Sequence, residues 1–564
     1  MNTILRIDMA ELKVTMENSP PDYQLLGGRG LSARILNTEV PAITHPLSHE
    51  NKLVVAPGLL AGTMAPSFGR ISIGAKSPLT KTIKEANAGG TVAQKLDRLG
   101  IKAIIIQGMP KENQTYSIYI DPKGAQIIAS PDLRGKMNYD LIATLQNKYG
   151  KDIGVISIGP AGEAKMAAST IAITDQDGRP SRHAARGGLG AVMGSKGIKA
   201  VVINAKDTKS IKPLHKEKFK ETVKELIETL KQEKRSQSLS KFGTPHVINF
   251  LSQLGSMPSW NYHGGPVKGI ENIYGETISK VNQSRGGRMH GCMPGCIVKC
   301  SIVFHGEDGQ HLTSALEYET LAMLGTNLGI TNLDAVAQMD RMCDELGVDT
   351  IEVGSAIAQL MEAGIIEFGD DQKVIGILKE LREGSPMGTI VGQGTAFTAQ
   401  YLGLNRVPVS KGQAFPAHDP RACKAVGVTY CTSPMGADHT AGLDYRDSLS
   451  NEGQVKRSRD AQILNATIDS AGYCLLALPA KGKLIYEVLA KLINARYGKN
   501  LKEEDVINIG INTIREELAF NRAAGWTDVQ NRLPGFMETE KLPPNDVVFD
   551  VQQEEMDAMF KDLS

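Results

Sequence analysis

The sequence predicts an α+β protein, with a β-rich N-terminal platform domain over residues 1–204 followed by two mainly α-helical domains over 205–405 and 406–564. Three observations lead there. Up to residue 204, short β-branched runs ("KLVVAPG", "GRISIGA", "IKAIIIQG", "DIGVISIG", "KAVVINA") alternate with glycine-rich turns, the texture of strands joined by tight loops. After Asn204 the periodicity becomes helical, in "KPLHKEKFKETVKELIETLKQEKRSQSLSKFG", "NLDAVAQMDRMCDELGVDTIEVGSAIAQLMEAG" and "KLIYEVLAKLINARYGKN". Helix signals then lapse through "LGLNRVPVSKGQAFPAHDP", which sets the second boundary. No internal repeat or low-complexity tract is visible.

At 564 residues the chain is long enough for several domains and a large buried core. Lys+Arg of 63 against Asp+Glu of 62 is too balanced for a surface built to hold nucleic acid or anionic lipid, so neither partner is expected. The N-terminal "MNTILRIDMAELKV" places Asp8 and Glu11 where a signal peptide needs an apolar stretch, and no apolar run approaches the ~20 residues of a membrane span. The expected location is the cytoplasm. Glycine, 58 of 564, exceeds the usual ~7% and concentrates in the N-terminal loops.

Cysteine is sparse, seven in all, yet "HGCMPGCIVKC" gathers Cys292, Cys296 and Cys300. An odd total in a reducing compartment argues against a disulfide framework and for metal or catalysis. Structural zinc prefers two close pairs, and although His290 and His305 lie nearby, three thiolates in one segment with a distant fourth more often hold an iron-sulfur cluster. The spacing Cys-x3-Cys-x3-Cys is one residue longer than that of radical S-adenosylmethionine enzymes. The plain alternative, three core thiols, fits poorly with the flanking Gly291, Pro294, Gly295 and Lys299. The fourth ligand could be Cys343, Cys423, Cys431 or Cys474.

Two hexamers, "DELGVD" (Asp344 to Asp349) and "DSAGYC" (Asp469 to Cys474), share the pattern Asp-x-x-Gly-x-Asp/Cys. With "LLGGRGLSARIL", "APGLLAGTMAPSFGRISIGAKSPLTKTIKEANAGG", "SIGPAGE", "RHAARGGLGAVMGSKGIKAVVI", "LEYETLAMLGTNLGI" and "HDPRA" in this order, the chain resembles the tungsten-containing aldehyde:ferredoxin oxidoreductases over nearly its whole length. The resemblance implies a bis-pyranopterin cofactor carrying tungsten, with molybdenum not separable from it by sequence, and one 4Fe-4S cluster on Cys292, Cys296, Cys300 and Cys474. It implies that Asp344, Gly347 and Asp349 grip one pterin and Asp469 and Gly472 the other. Two glycine-rich loops would serve the phosphates: Asn87, Ala88, Gly89 and Gly90 in "EANAGG", and Arg182, Ala184, Ala185, Arg186 and Gly187 in "RHAARGG". Backbone without Cβ atoms can close on a phosphate, and guanidinium forks match its oxygens. By the same resemblance a magnesium ion bridges the phosphates through the carbonyls of Asn87 and Ala184, and Arg70 lies between pterin and cluster.

For chemistry the resemblance assigns acid/base work to Glu317 and His439, with Glu319 as substitute for Glu317, and a substrate hydrogen bond to Tyr430. It implies oxidation of a small aldehyde to a carboxylic acid, with electrons passing through the cluster to ferredoxin or an iron-sulfur electron-transfer subunit. Another small carbonyl or acyl substrate, and a non-catalytic electron-transfer subunit, stay open as alternatives. The chain departs from the commoner Cys-x2-Cys-x3-Cys spacing, and it has Val348 and Tyr473 where leucine usually follows the motif glycine. None of the eleven histidines follows a glutamate by three positions, so the inter-subunit iron site of some relatives is not expected and a homodimer is left open.

Overall fold

The computed structural model describes residues 3–480, 482 and 484–563. Met1 and Asn2 of the N-terminal stretch, and Lys483 at the head of "KLIYEVL", lie outside the described residues.

Twelve strands between Thr3 and Ile203 form two six-stranded sheets. The first contains β1 (Thr3–Asp8), β2 (Lys13–Asn18), β3 (Leu53–Pro57), β4 (Ile71–Lys76), β5 (Ile83–Ala88) and β6 (Ile101–Gln107) in the order 2-1-6-3-4-5. The second contains β7 (Tyr116–Asp121), β8 (Gly124–Ala129), β9 (Gly154–Ser157), β10 (Ile171–Ile173), β11 (Arg182–Ala184) and β12 (Ile198–Ile203), in an order that reads 8-7-12-9-10-11 from its other edge. Adding six to every label of the first sheet gives the second. Strand directions agree as well: β1 is parallel to β6 as β7 is to β12, and the other neighbours in both sheets are antiparallel. The platform is therefore a structural duplication, which corrects the reading that the chain has no internal repeat. Its two copies share topology through long-range pairings, and a scan for local similarity does not detect those.

The strands in the middle of both sheets are near-continuous apolar runs because they are covered on both faces. Ile104 and Ile106 of β6 and Ile156 of β9 belong to one shared core between the sheets. On the outer face of the first sheet lies the helix Gly28–Glu39, which packs against the helices Gln454–Ala471 and Glu503–Ala523 of the C-terminal part. Arg29, 1% exposed, is clamped there by both oxygens of Glu517 at 2.8 and 2.9 Å. From Lys216 onward the chain is mostly helical, broken by the three-stranded sheet β13 (Arg288–His290), β14 (Ser301–His305) and β15 (His311–Ser314) that frames the cysteine segment. No helix among the described residues is long and apolar enough to cross a membrane.

Candidate functional site

Both Asp-x-x-Gly-x-Asp/Cys hexamers are helix ends. The helix Leu333–Leu346 stops at Gly347 (φ +71°), and Asp349 then caps the next helix, Thr350–Glu362, by accepting the N–H of Ile351 at 3.0 Å. Helix Gln454–Ala471 stops at Gly472 (φ +80°), followed by Cys474 and a short turn. A left-handed C-terminal residue favours glycine, which explains the invariant spacing between helix-end aspartate and glycine in the two segments. Each hexamer is held by one copy of the duplicated platform through the same bond. The N–H of Arg70, the residue before β4, donates to the Gly472 carbonyl at 3.2 Å. Likewise the N–H of Thr170, before β10, donates to the Gly347 carbonyl at 2.8 Å.

Between platform and helices lies a cavity of about 260 Å³. Arg70, Asn87, Ala88, Gly89, Arg182 and Ala185 line it from the platform, and Cys292, Cys300, Glu317, Asp340, Asp344, Asp349 and Cys474 from the other side. Cys292, Cys300 and Cys474 are buried and Cys296 half-buried. The Cys292 and Cys296 thiols share a hydrogen bond that pushes the first pKa up and the second down, and each of the four thiols feels its neighbours' charge. A Cβ on Gly89 would sit 2.9 Å from the Cys292 sulfur, so glycine there lets the loop close on the cysteines. Cys423, by contrast, is bonded to Ser256 at 2.9 Å elsewhere in the core, and Cys343 and Cys431 are likewise buried away from the cavity lining.

The polar groups around this cavity are strongly paired. Asp344 Oδ1 lies 3.0 Å from His183 Nε2, while its buried Oδ2 has no hydrogen-bond partner. Asp349 pairs with Arg186 at 3.1 Å, and burial raises its pKa. Arg186 also donates to the carbonyls of Ala437 (2.7 Å) and Ala414 (2.9 Å). Burial, with Glu85 nearby, pushes Asp469 up to about 8 despite Arg29 at 3.5 Å. Arg182 donates to Ser301 at 2.8 Å and stands 3.7 Å from Glu317. Arg70 bonds both the side chain of Asn87 and its carbonyl, the latter at 2.9 Å, so the carbonyl expected to face magnesium already accepts a guanidinium. Ala184 is paired with Ile171 inside the sheet, and Gly90 and Gly187, both at positive φ, abut Ile173 and Lys84 outside the cavity lining.

The expected acid/base groups do not meet. Glu317 precedes the helix Tyr318–Met323 and points to the cysteine side, accepting from Thr244 at 2.5 Å. Glu319, two residues on in the first helical turn, faces the other way and places Oε1 3.2 Å from His418 Nε2 and 3.3 Å from His439 Nε2. Burial alone would raise Glu319, but His439 and His418 pull it down to about 2. Tyr430 is also placed otherwise than expected. It is buried, with its hydroxyl at 3.3 and 3.5 Å from the carbonyls of His418 and Pro416, so its donor is turned to the backbone. Tyr445 instead reaches the His418 ring at 3.3 Å. Sequence reasoning also missed Lys84, which is fully buried and bonded to Asp438 at 2.6 Å beside His439. No local signal links partners 354 positions apart. Asp340 was legible in principle, one helical turn before Asp344.

Thiols sharing a cavity with buried guanidiniums and carboxyls, across the seam of a duplicated platform and a helical half, are a donor set suited to a metal cluster beside an anionic group. The sequence comparisons identify the family. A model of the aldehyde ferredoxin oxidoreductase N-terminal domain matches residues 4–205, and one of domains 2 and 3 of the same enzymes matches residues 221–563. The chain belongs to the aldehyde ferredoxin oxidoreductase family. Among its relatives, the tungsten-containing aldehyde ferredoxin oxidoreductase of Pyrococcus furiosus is 30% identical over 96% of this chain and 91% of its own. That of Pyrococcus abyssi is 31% identical over 96% and 92%. The WOR-like subunit of an aliphatic sulfonate oxidoreductase from Pyrococcus furiosus is 26% identical over 91% and 84%. The fold is shared with the active site complex BamBC of benzoyl coenzyme A reductase, solved with 1,5-dienoyl-CoA, at a TM-score of 0.84 and 20% identity over 100% of this chain and 94% of that one.

Proposed function

We propose that the protein is a tungsten bis-pyranopterin oxidoreductase that oxidises a small aldehyde to a carboxylic acid and passes the electrons, one at a time, to ferredoxin or an iron-sulfur partner subunit. The observation that carries this reading is the placement of three thiols, Cys292, Cys300 and Cys474, on the wall of the same cavity as Asp344 and Asp349, with Cys296 bonded to Cys292 behind them. The residues present suit the group. Arg70 and Arg182 offer guanidinium forks to phosphate, while Arg186 behind them is committed to Asp349 and two carbonyls; the partnerless Oδ2 of Asp344 offers an acceptor to a ring N–H. Asp349 and Asp340 add carboxyls, and burial pushes the pKa of the latter well up. Ala88, Gly89 and Ala185 leave the space a planar ring needs. The expected magnesium ion is not supported in the same way, since the Asn87 carbonyl accepts the Arg70 guanidinium and Ala184 lies in strand β11 outside the cavity lining.

Bound there, the metal-pterin would supply the two-electron exchange and a 4Fe-4S cluster on Cys292, Cys296, Cys300 and Cys474 the one-electron exit. Conversion of RCHO and water to RCOOH releases two electrons and two protons, and the chain's own residues must take the protons. His439 is the acceptor, Glu319 stays ionised and holds the charge that forms on its ring, and His418 and Tyr445 continue the path. Glu317, bonded to Thr244 and beside Arg182, sets the electrostatics of the cluster side.

Protein purified without oxygen and analysed for metals and pterin tests the reading directly. About four irons per chain with tungsten or molybdenum and pterin are expected, together with viologen reduction by members of an aldehyde panel. Iron without the heavier metal and pterin would leave only an electron-transfer subunit, and turnover confined to acyl-CoA thioesters would move the substrate class.

A further inference from the structure

A second cavity, of about 370 Å³, lies among C-terminal elements and shares no wall residue with the cavity that holds the thiols. Its volume falls within the ~300–1,000 Å³ of small-molecule sites. Leu518 of the helix Glu503–Ala523 and Trp526 just beyond its end form one apolar wall. Met556 of the helix Gln553–Ala558 and Phe560 in the turn after it form another. That second wall is fixed in place, because Arg459 holds Asp562 at 2.6 Å and donates to the Met559 carbonyl.

A hairpin brings Lys411 to the same space. Strands β16 (Val409–Ser410) and β17 (Gln413–Ala414) are joined by Lys411 and Gly412, both left-handed, with φ of +50° and +79°. Such a turn favours asparagine, aspartate or glycine, so the turn does not explain a lysine at its first position. The Lys411 ammonium donates to the Cys431 carbonyl, and burial lowers its pKa to about 8. Buried Lys84 and Lys199 each meet a carboxylate at 2.6 Å, that of Asp438 and that of Glu163. Lys196 meets only the Ser48 carbonyl, but it is sealed inside the fold. Lys411 lines an open cavity and has no carboxylate partner among the described residues: Asp528 acts on it only from beyond ion-pair distance, and Asp557 is taken by Arg532 at 2.8 Å. Arg522 on the same wall likewise pairs with no carboxylate among the described residues.

We propose that this cavity binds a small apolar monocarboxylate, with its charged end on Lys411 and its hydrocarbon part between Trp526 and Phe560. A desolvated ammonium without a counter-charge is stabilised most by an anion, and aromatic and aliphatic walls select an apolar body. A dianion such as phosphate fits worse, because Asp528 and Asp557 line the same space and repel added negative charge. The carboxylic acid formed in the reaction proposed above belongs to this class, but the site stands without that reading.

The chain has two tryptophans, Trp260 and Trp526, so Trp260→Phe leaves one indole, which reports from the cavity wall. Anaerobic holoenzyme with this substitution is titrated with hexanoate, and with hexanol as the uncharged control. Indole emission should change saturably with hexanoate, and affinity for hexanol should be lower by about ten-fold or more. Adding Lys411→Met should weaken hexanoate binding by about the same factor, whereas Lys411→Arg should largely keep it; unchanged iron content reports an intact fold. Equilibrium dialysis of labelled hexanoate on parent and Lys411→Met protein makes the same comparison without the tryptophan substitution. Absence of saturable binding, equal affinity for hexanoate and hexanol, or parent-like binding in Lys411→Met overturns the site. Displacement of hexanoate by an equal concentration of inorganic phosphate overturns the choice of a monocarboxylate. Hexanoate bound as expected in protein that lacks tungsten, molybdenum and pterin would uphold the site while sinking the oxidoreductase reading.

Discussion

The four thiols and the buried lysines make the clearest tests at the scale of single residues. Cys474→Ala should lower bound iron strongly, because its sulfur lines the cavity with Cys292 and Cys300. Cys423→Ala should not, because that thiol is bonded to Ser256 outside the lining. Equal iron in the two variants would remove Cys474 from the ligand set. Lys196 has no exposed surface, and burial with Lys52 nearby lowers its pKa to about 7. The unfolded chain, with an ordinary lysine near ~10.4, then holds one more proton than the folded one between those values. Stability should accordingly rise as pH increases from about 7 towards 10, by on the order of 4 kcal/mol from this group. Lys196→Met should flatten that rise, as denaturant midpoints at pH 7 and pH 9.5 would reveal; an unchanged slope would mean the amine is not desolvated. Cysteine rarity and the paired hexamers made the grouped thiols and the two helix-end motifs legible in sequence. The choice between Glu317 and Glu319 was not legible, since two residues apart at a helix start face opposite sides and only tertiary packing tells which meets the histidines.

Helix ends do the positioning at the next scale. Gly472 adopts φ +80°, and an added Cβ would lie 2.9 Å from the Cα of Gly58. Gly472→Ala should therefore cost more than the ~1 kcal/mol typical of alanine in a left-handed cap, and it should displace Cys474 enough to lower iron content. Gly384 ends the helix Asp371–Glu383 at φ +70° with nothing within 4 Å. Gly384→Ala serves as the control, losing about 1 kcal/mol and no iron. Matching losses in both would mean that close approach to Gly58 is unimportant. The helix Gly28–Glu39 gives a second case: Glu517→Ala leaves the guanidinium of Arg29 buried beside Asp469 alone, and about 3–5 kcal/mol of stability should go with it. A thermal midpoint near the parent's would show that water reaches the pair. Such elements were readable from periodicity and cap residues. Their partners were not, because Arg29 and Glu517 are 488 positions apart.

For the whole molecule, the seam between platform and helices is polar and heavily cross-linked. Arg29 depends on Glu517, Lys84 on Asp438 and Arg186 on Asp349. A fragment of residues 1–205 would carry these buried cations without their carboxylates, so it should fail to unfold cooperatively although it contains both complete sheets. Near-ultraviolet circular dichroism and hydrogen exchange would check this, and a sharp melting transition of the fragment would contradict it. The alternation of strands and turns foretold the β-rich half and the helical periods the other. The equivalence of the two sheets stayed hidden because it resides in which strands pair, with β1 meeting β6 and β7 meeting β12 across about a hundred residues each.

That equivalence leaves the platform with no preferred side. Each copy grips a helix end by one backbone bond, and the two grips differ chiefly in what ends the hexamer, an aspartate against the second copy and a cysteine against the first. On the proposed reading, a near-twofold receptor for a near-twofold ligand acquires its polarity from that one exchange of oxygen for sulfur. On that reading electrons would leave on the side of β4, where Cys474 lies. A duplicated scaffold would thereby gain a direction that neither of its sheets has alone.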